Sequence, residues 1–265
     1  MSISEKAIVN KGAKIKDDVE VGAFAIIEDG VEISSGVKIW PNAHICSGTS
    51  IGEGTEVHMG AVVGHLPQDL TFDKNKKTRL MVGKNTVIRE YSTLHRGTKE
   101  DHPTIIGDNC YLMAVSHIGH DCHIGNNVIV ANCALLAGHV LVEDGVFISG
   151  NVVVHQFCRI GTMSIIGGFT GINKDVPPYM LVRGPSVVRG LNLIGLRRAK
   201  ISKELLGGLR EAYKLLYMSD LNTAQALEGI KKLPPSKELD HLVEFILGSK
   251  RGICKYKYSD TDYFE

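Results

Sequence analysis

No segment of this chain approaches the about 20 consecutive apolar residues that a membrane-crossing helix requires. The N-terminal stretch MSISEKAIVN lacks the basic start and apolar centre of an export signal. Neither sign of charge is in excess: 30 Lys and Arg face 29 Asp and Glu, a net charge of +1. That balance argues against general nucleic-acid binding and leaves room only for a local basic patch. The six cysteines (Cys46, Cys110, Cys122, Cys133, Cys158 and Cys254) contain no CxxC pair. Free thiols in a reducing cytoplasm are the simplest account of them, and a cytoplasmic protein is expected.

What the chain does have is a six-residue ladder. Every sixth residue from Ile3 to Val63 is Ile or Val; the series resumes at Val82, Ile88 and Leu94 and then runs from Ile106 to Ile172. An α-helix has no such period and an ordinary half-buried strand alternates at two. A fixed hexad means a solenoid of short strands, with each aliphatic stacked on its copy in the next coil. Four residues after each aliphatic the side chain is small or β-branched (Ala7, Ala13, Val19, Ala25), which suits a narrow interior. Three residues after it stands Gly, Asn or Asp in many hexads (Gly12, Asp18, Gly30, Asn42), types that tolerate the positive φ of a sharp corner. Three hexads close a triangular coil of 18 residues, and the hexads present predict roughly nine coils rising about 4.8 Å each.

Two stretches interrupt the ladder. Residues 66–79 (LPQDLTFDKNKKTR) shift its phase by one, and residues 98–104 (TKEDHPT) replace one hexad without a phase change. Both read as loops on a rigid scaffold, where binding residues are often carried. Beyond Pro177-Pro178 and a connector to about Gly190, the pattern turns helical. Ser202 opens one amphipathic helix, Asn222-Thr-Ala-Gln225 resembles a capping box before a second, and Ser236 starts a third. The expected division is a β-helix over 1–190 and a small helical domain over 191–265.

Chemistry must come from residues that depart from the ladder. Adding 18 to 120 gives 138 and adding 36 gives 156, so His120, His139 and His155 each fall within one residue of the same place on consecutive coils, with His117 nearby. Histidines also stack at solenoid corners without any role. An aligned set beside Asp121 and Gln156 points instead to a site.

The strings Gln68-Asp69-Leu70, His117-Ile-Gly-His120-Asp121-Cys122, Ala137-Gly138-His139, Val154-His155-Gln156-Phe157 and Asp175-Val-Pro-Pro-Tyr179 follow one another along nearly the whole chain. In this ordered combination the sequence resembles the UDP-N-acetylglucosamine O-acyltransferases, the first enzymes of lipid A synthesis. The resemblance implies a mainly β protein: a left-handed parallel β-helix of hexapeptide repeats with a C-terminal helical domain, assembled as a homotrimer with active sites between subunits. It also implies an acyl carrier protein bearing a 3-hydroxyacyl chain and a UDP-amino sugar as partners, with neither cofactor nor metal. Carried over residue by residue, His120 is the general base, Asp121 orients it, and the backbone N–H of Gly138 faces the oxyanion. His117, His139, His155 and Gln156 line the acceptor and acyl pockets. Gln68 and Asp69 hold the sugar and pyrophosphate, Gly168 leaves room for the acyl chain, and Asn192 and Arg198 lie near the nucleotide. The cluster Arg197, Arg198, Lys200, Lys203 and Arg210 suits an acidic carrier protein or a solvated helix face.

Thr71, Ile194 and Ala199 depart from the family pattern, replacing Lys, an acidic residue and Arg in turn. These departures leave the acceptor open between a 3-hydroxyl and a 3-amino sugar. Two alternatives compete with the reading: a γ-type carbonic anhydrase with zinc held by three histidines, and a related N-acyltransferase of the same pathway. The latter normally carries an extra N-terminal domain, whereas this ladder begins at Ile3.

Overall fold

The structure, a computed structural model, describes residues 2–256; the expected helical region therefore continues, at 257–265, outside the described residues. Nearly every hexad contributes a strand of two residues, an outward side chain followed by the inward aliphatic, as in Glu32–Ile33 and Phe147–Ile148. Equivalent strands of consecutive coils pair in parallel at the expected interval, Ser2 opposite Glu20 and Ile3 opposite Val21. Three sheets result and form the faces of a prism. The first face runs from Ser2–Ile3 to Met180–Arg183, the second from Ile8–Val9 to Gly171–Ile172 and the third from Lys14–Ile15 to Arg159–Ile160. The ladder aliphatics and the small residues four positions on fill the interior together: Ile27, Ile45, Leu94, Leu136 and Ile148 are fully buried, and so are Ala25, Ala43 and Ala134. In the first coil Ile3, Val9 and Ile15 are only partly covered.

The register shows where the ladder is interrupted. Glu56 pairs with Val87, so residues 66–79 leave the prism between strands Val62–His65 and Leu80–Val82. Val87 pairs with Tyr111, and residues 98–104 leave it between Thr93–His95 and Thr104–Ile106. The two excursions are tied to each other. The Arg79 carbonyl accepts from the N–H groups of Gly97 (3.0 Å) and Thr104 (3.1 Å), and the Glu100 carboxylate accepts from the Lys77 N–H (2.9 Å).

Corners turn three residues after each aliphatic, as the pattern predicts, but the residue types are broader than Gly, Asn and Asp. Phe24, Tyr91, Val115, Cys133, Phe157 and Phe169 also adopt φ between 56° and 65° there. Such a conformation costs an ordinary residue roughly 1–2 kcal/mol. The continuous rungs on both sides impose it, since the next coil's backbone hydrogen bonds fix each corner. Gly12 and Asp18, in the first coil, do not have positive φ.

The first face carries ten parallel strands rather than the nine coils expected. The tenth, Met180–Arg183, pairs Val182 with Ile166, only 16 residues away, so it falls outside the hexad count. Val187–Leu191 then returns antiparallel to it. Helices follow at Leu193–Arg198 (α1), Lys203–Tyr217 (α2), Thr223–Ile230 (α3) and Lys237–Leu247 (α4). Ser202 and Ser236 cap α2 and α4, and Asn222 with Gln225 forms the full capping box of α3. The short α1 was not legible in the sequence. α4 packs back on the prism, where His241 Nε2 lies 2.8 Å from Glu143 Oε2 and the Arg159 guanidinium sits 4.1 Å over the Phe245 ring.

Candidate active site

The imidazoles gather where the second face turns into the third. His120 and Asp121 occupy the corner after the strand His117–Ile118. Gly138 and His139 occupy the same corner one coil on, and Gln156 and Phe157 the corner after that. The backbone ladder joins them: the His139 N–H donates to the His120 carbonyl (2.9 Å), and the Phe157 N–H to the Gly138 carbonyl (3.2 Å). Asp121 and His139 are the positive-φ residues of their corners. The fold therefore throws both side chains outward onto one edge.

His120 Nδ1 lies 2.7 Å from Asp121 Oδ2. An ionised carboxylate only accepts, so Nδ1 is assigned as the donor and Nε2 keeps its lone pair. The Asp121 side chain is 7% exposed. Burial pushes its pKa up, but hydrogen bonds from His120 and from the N–H and hydroxyl of Thr98 outweigh this and hold it below the usual carboxylate value. His139 Nε2 approaches the same oxygen at 3.5 Å, while its ring stacks on Phe157 with centroids 4.6 Å apart.

Gly138 lies against the His120 ring. A Cβ placed there would be 2.6 Å from His120 Cε1 and 2.7 Å from Nε2. Among the described residues nothing accepts from the Gly138 N–H, although the matching N–H of Asn126 on another edge is capped by Asp144 (2.7 Å). A free imidazole nitrogen and a free backbone donor thus sit side by side.

Beside them is a groove of about 360 Å³, lined among others by Gln68, His95, His117, His120, Gly138 and Gln156. His117 stands on the strand before the corner, its Nδ1 2.9 Å from Thr93 Oγ1. Burial, reinforced by the neighbouring His95 and His120 imidazoles, pushes its pKa down to about 4. His95 is held by a 2.6 Å hydrogen bond from Nδ1 to the Leu66 carbonyl, which ties the 66–79 loop to the groove. We expect an NMR titration to find His117 neutral at pH 5, where an unperturbed imidazole is largely protonated. Because the unfolded chain binds this proton more readily, His117 makes stability fall as pH drops from about 6.5 toward about 4. His117→Gln should flatten that dependence in denaturant titrations.

The other candidates are spread further. Asp69 is half-buried in its loop and accepts from both the N–H and the hydroxyl of Thr71 (2.8 Å each). His155 is exposed and lines, with Val153, Gly171 and Pro185, a second hollow of about 380 Å³ further along the second face. Gly168 follows Ile165–Ile166 and lies on the edge between the first and second faces. Asn192 lies on the remaining edge. It is buried, caps α1 by accepting from the Gly195 N–H (3.0 Å), and donates to the Met163 carbonyl (2.8 Å). Arg198 ends α1. Within one chain, Gly168 and Asn192 are therefore not brought to the His120 corner. Sequence reasoning missed His95, Thr98 and Thr104. The signal for Thr98 and Thr104 was the lost hexad at 98–104, and His95 sits just upstream of it.

The donor atoms of His120, Asp121 and His139 lie within 4.8 Å of one another. Both Asp121 oxygens are already engaged by Thr98 and His120, and the cluster holds two imidazoles, not the three of a carbonic anhydrase site. A family model described as UDP-N-acetylglucosamine O-acyltransferase, domain 2, matches residues 175–254, and hexapeptide transferase repeats match 30–65 and 103–138. An acyl-[acyl-carrier-protein]--UDP-N-acetylglucosamine O-acyltransferase of Ectopseudomonas mendocina is 49% identical over 96% of this chain and 99% of its own length. The chain belongs to the UDP-N-acetylglucosamine O-acyltransferase family. An enzyme of the same name from Anaeromyxobacter dehalogenans is 44% identical over 96% of this chain and the whole of its own. The solved UDP-N-acetylglucosamine acyltransferase of Bacteroides fragilis superposes with a TM-score of 0.92 at 40% identity, covering 95% of this chain and 99% of that one. Membership in the O-acyltransferase family removes the carbonic anhydrase alternative.

Proposed function

We propose that this protein moves a 3-hydroxyacyl chain from acyl carrier protein to the 3-position of UDP-N-acetylglucosamine, in the cytoplasm, as a step of lipid A synthesis. One observation carries the reading beyond family membership: His120 and Gly138 line one groove and lie against each other, with Asp121 behind the imidazole. Nε2 takes the proton of the sugar hydroxyl as its oxygen attacks the thioester carbonyl. The carbonyl oxygen, now negative, is met by the Gly138 N–H. Collapse breaks the carbon–sulfur bond, and His120 returns the proton to the departing carrier thiolate. A positioned base contributes roughly 10²–10⁴ in rate and one oxyanion donor on the order of 10²–10³. No Ser or Cys nucleophile is required, and no metal or cofactor takes part in the scheme.

Gln68 and His117 face the same groove and serve the acceptor, with Asp69 beside them on the loop. His139, Gln156 and His155 mark the path of the acyl chain over Leu135 and Val153, which are 44% and 50% exposed. Arg198 meets the nucleotide, and Asn192 acts by holding the helix that presents it. Since Gly168 and Asn192 sit on different edges from His120, a homotrimer that sets one copy's edge against another's supplies the complete site. Tyr91, Val115 and Phe169, exposed in a row on the edge between the first and second faces, support such self-association. Among the described residues no helix is long and apolar enough to cross a membrane. The substrates proposed are water-soluble, which supports action in the cytoplasm.

The test is to offer the protein carrier-linked 3-hydroxyacyl chains of several lengths with UDP-N-acetylglucosamine or its 3-amino analogue, and to weigh the products. A singly acylated nucleotide sugar is expected. Absence of acylated product with both acceptors at every length would end the proposal.

A further inference from the structure

Asp121 occupies a corner that the regular ladder does not serve. The coil before it is longer by six residues, its register step being 24 instead of 18, and the extra chain leaves the prism at this corner as the 98–104 loop. Thr98 uses both its donors on the carboxylate: its N–H reaches Oδ1 at 2.9 Å and its hydroxyl reaches Oδ2 at 2.9 Å. At the loop's other end the Thr104 hydroxyl accepts from the Asp121 N–H at 2.8 Å. The approach is close enough to require Gly97, where a Cβ would meet the His102 carbonyl oxygen at 2.2 Å and Asp121 Oδ1 at 3.2 Å. The loop is held in turn by the Arg79 carbonyl and by Glu100 on the Lys77 N–H, and so is coupled to the excursion that carries Gln68 and Asp69.

We propose that Thr98 is a positioning residue for the acyl transfer, clamping the Asp121 carboxylate so that Oδ2 faces His120 Nδ1. This rests on the proposed role of His120 and deepens it. A carboxylate bonded only to His120 can rotate about its Cβ–Cγ bond and carry the imidazole with it. Two further bonds from a backbone-anchored threonine remove that rotation, leaving Nε2 pointed at the groove. The same bonds favour the ionised carboxylate. Thr98 reaches the reaction only through Asp121, so its loss should affect turnover and spare substrate affinity.

The test compares Thr98→Val, Thr98→Ser and His120→Ala in steady-state kinetics. Thr98→Val keeps the shape and the N–H bond but loses the hydroxyl. We expect its kcat to fall about tenfold, the scale of a hydrogen bond to a charged group, with KM changed by less than about twofold. Thr98→Ser should recover most of the loss. Should the valine variant fail to fold, Thr98→Ala reads the same bond. Wild-type kcat in Thr98→Val and Thr98→Ala, with His120→Ala inactive, would overturn the clamp and leave the base intact. A fully active His120→Ala would overturn the base assignment itself.

Discussion

His120→Ala is expected to lower kcat by at least about a hundredfold while the prism stays folded. The magnitude is that of a lost general base. The folded state survives because His120 is an edge residue, outside the columns of buried aliphatics. The Asp121 carboxylate left behind still accepts from the N–H and hydroxyl of Thr98, so no buried charge is orphaned. Steady-state turnover beside a thermal melt checks both halves. Near-normal turnover would remove His120 from the mechanism, and a collapsed melting temperature would make the kinetic loss uninformative about the base.

Gly138→Ala should be about as damaging to turnover, for a reason that is purely geometric. The added methyl would sit 2.6 Å and 2.7 Å from His120 Cε1 and Nε2, well inside contact distance. The ring cannot yield easily, since its other side is bonded to Asp121 at 2.7 Å and Asp121 is held by the 98–104 loop. Gly138 is not among the positive-φ glycines, so alanine meets no backbone strain at this position. The substitution should therefore move the imidazole rather than unfold the coil. We expect a fall in kcat on the order of 10²-fold with little change in the thermal melt. A variant that keeps wild-type turnover would mean that the ring and the glycine do not meet as described.

The prism was legible because closing a triangular coil demands one inward aliphatic and one left-handed corner in every six residues. That demand made the ladder from Ile3 to Ile172 a direct record of the interior; a phase shift located the 66–79 loop and a missing aliphatic the 98–104 loop. The same arithmetic put His120, His139 and His155 on one edge; His120 and His139 share that corner, while His155, one residue short of it, lines a separate hollow on the second face. What escaped it lacks a period. The rung at Met180–Arg183 is displaced by Pro177-Pro178 from the 18-residue spacing, and α1 is only six residues long. Thr98 reaches Asp121 across 23 residues of chain, through a loop whose sequence carries polar residues but no pattern. Nor does a period tell which edge a residue outside the central coils will reach. Gly168 and Asn192 read naturally as members of one site, yet within a single chain they occupy the two edges away from His120. Phe24, Val115 and Phe169 at left-handed corners could not be anticipated from local preference, because the stacked rungs override it.

The central claim is that the imidazole of His120 and the glycine pressed against it work as one unit in acyl transfer. It is tested most directly by measuring kcat for Gly138→Ala in two backgrounds, the wild type and His120→Ala. With the ring present, alanine should cost about a hundredfold. With the ring gone, its methyl has nothing to displace, and the double variant should turn over at nearly the rate of His120→Ala alone. If the two losses instead multiply, Gly138 acts independently of His120 and the account is wrong.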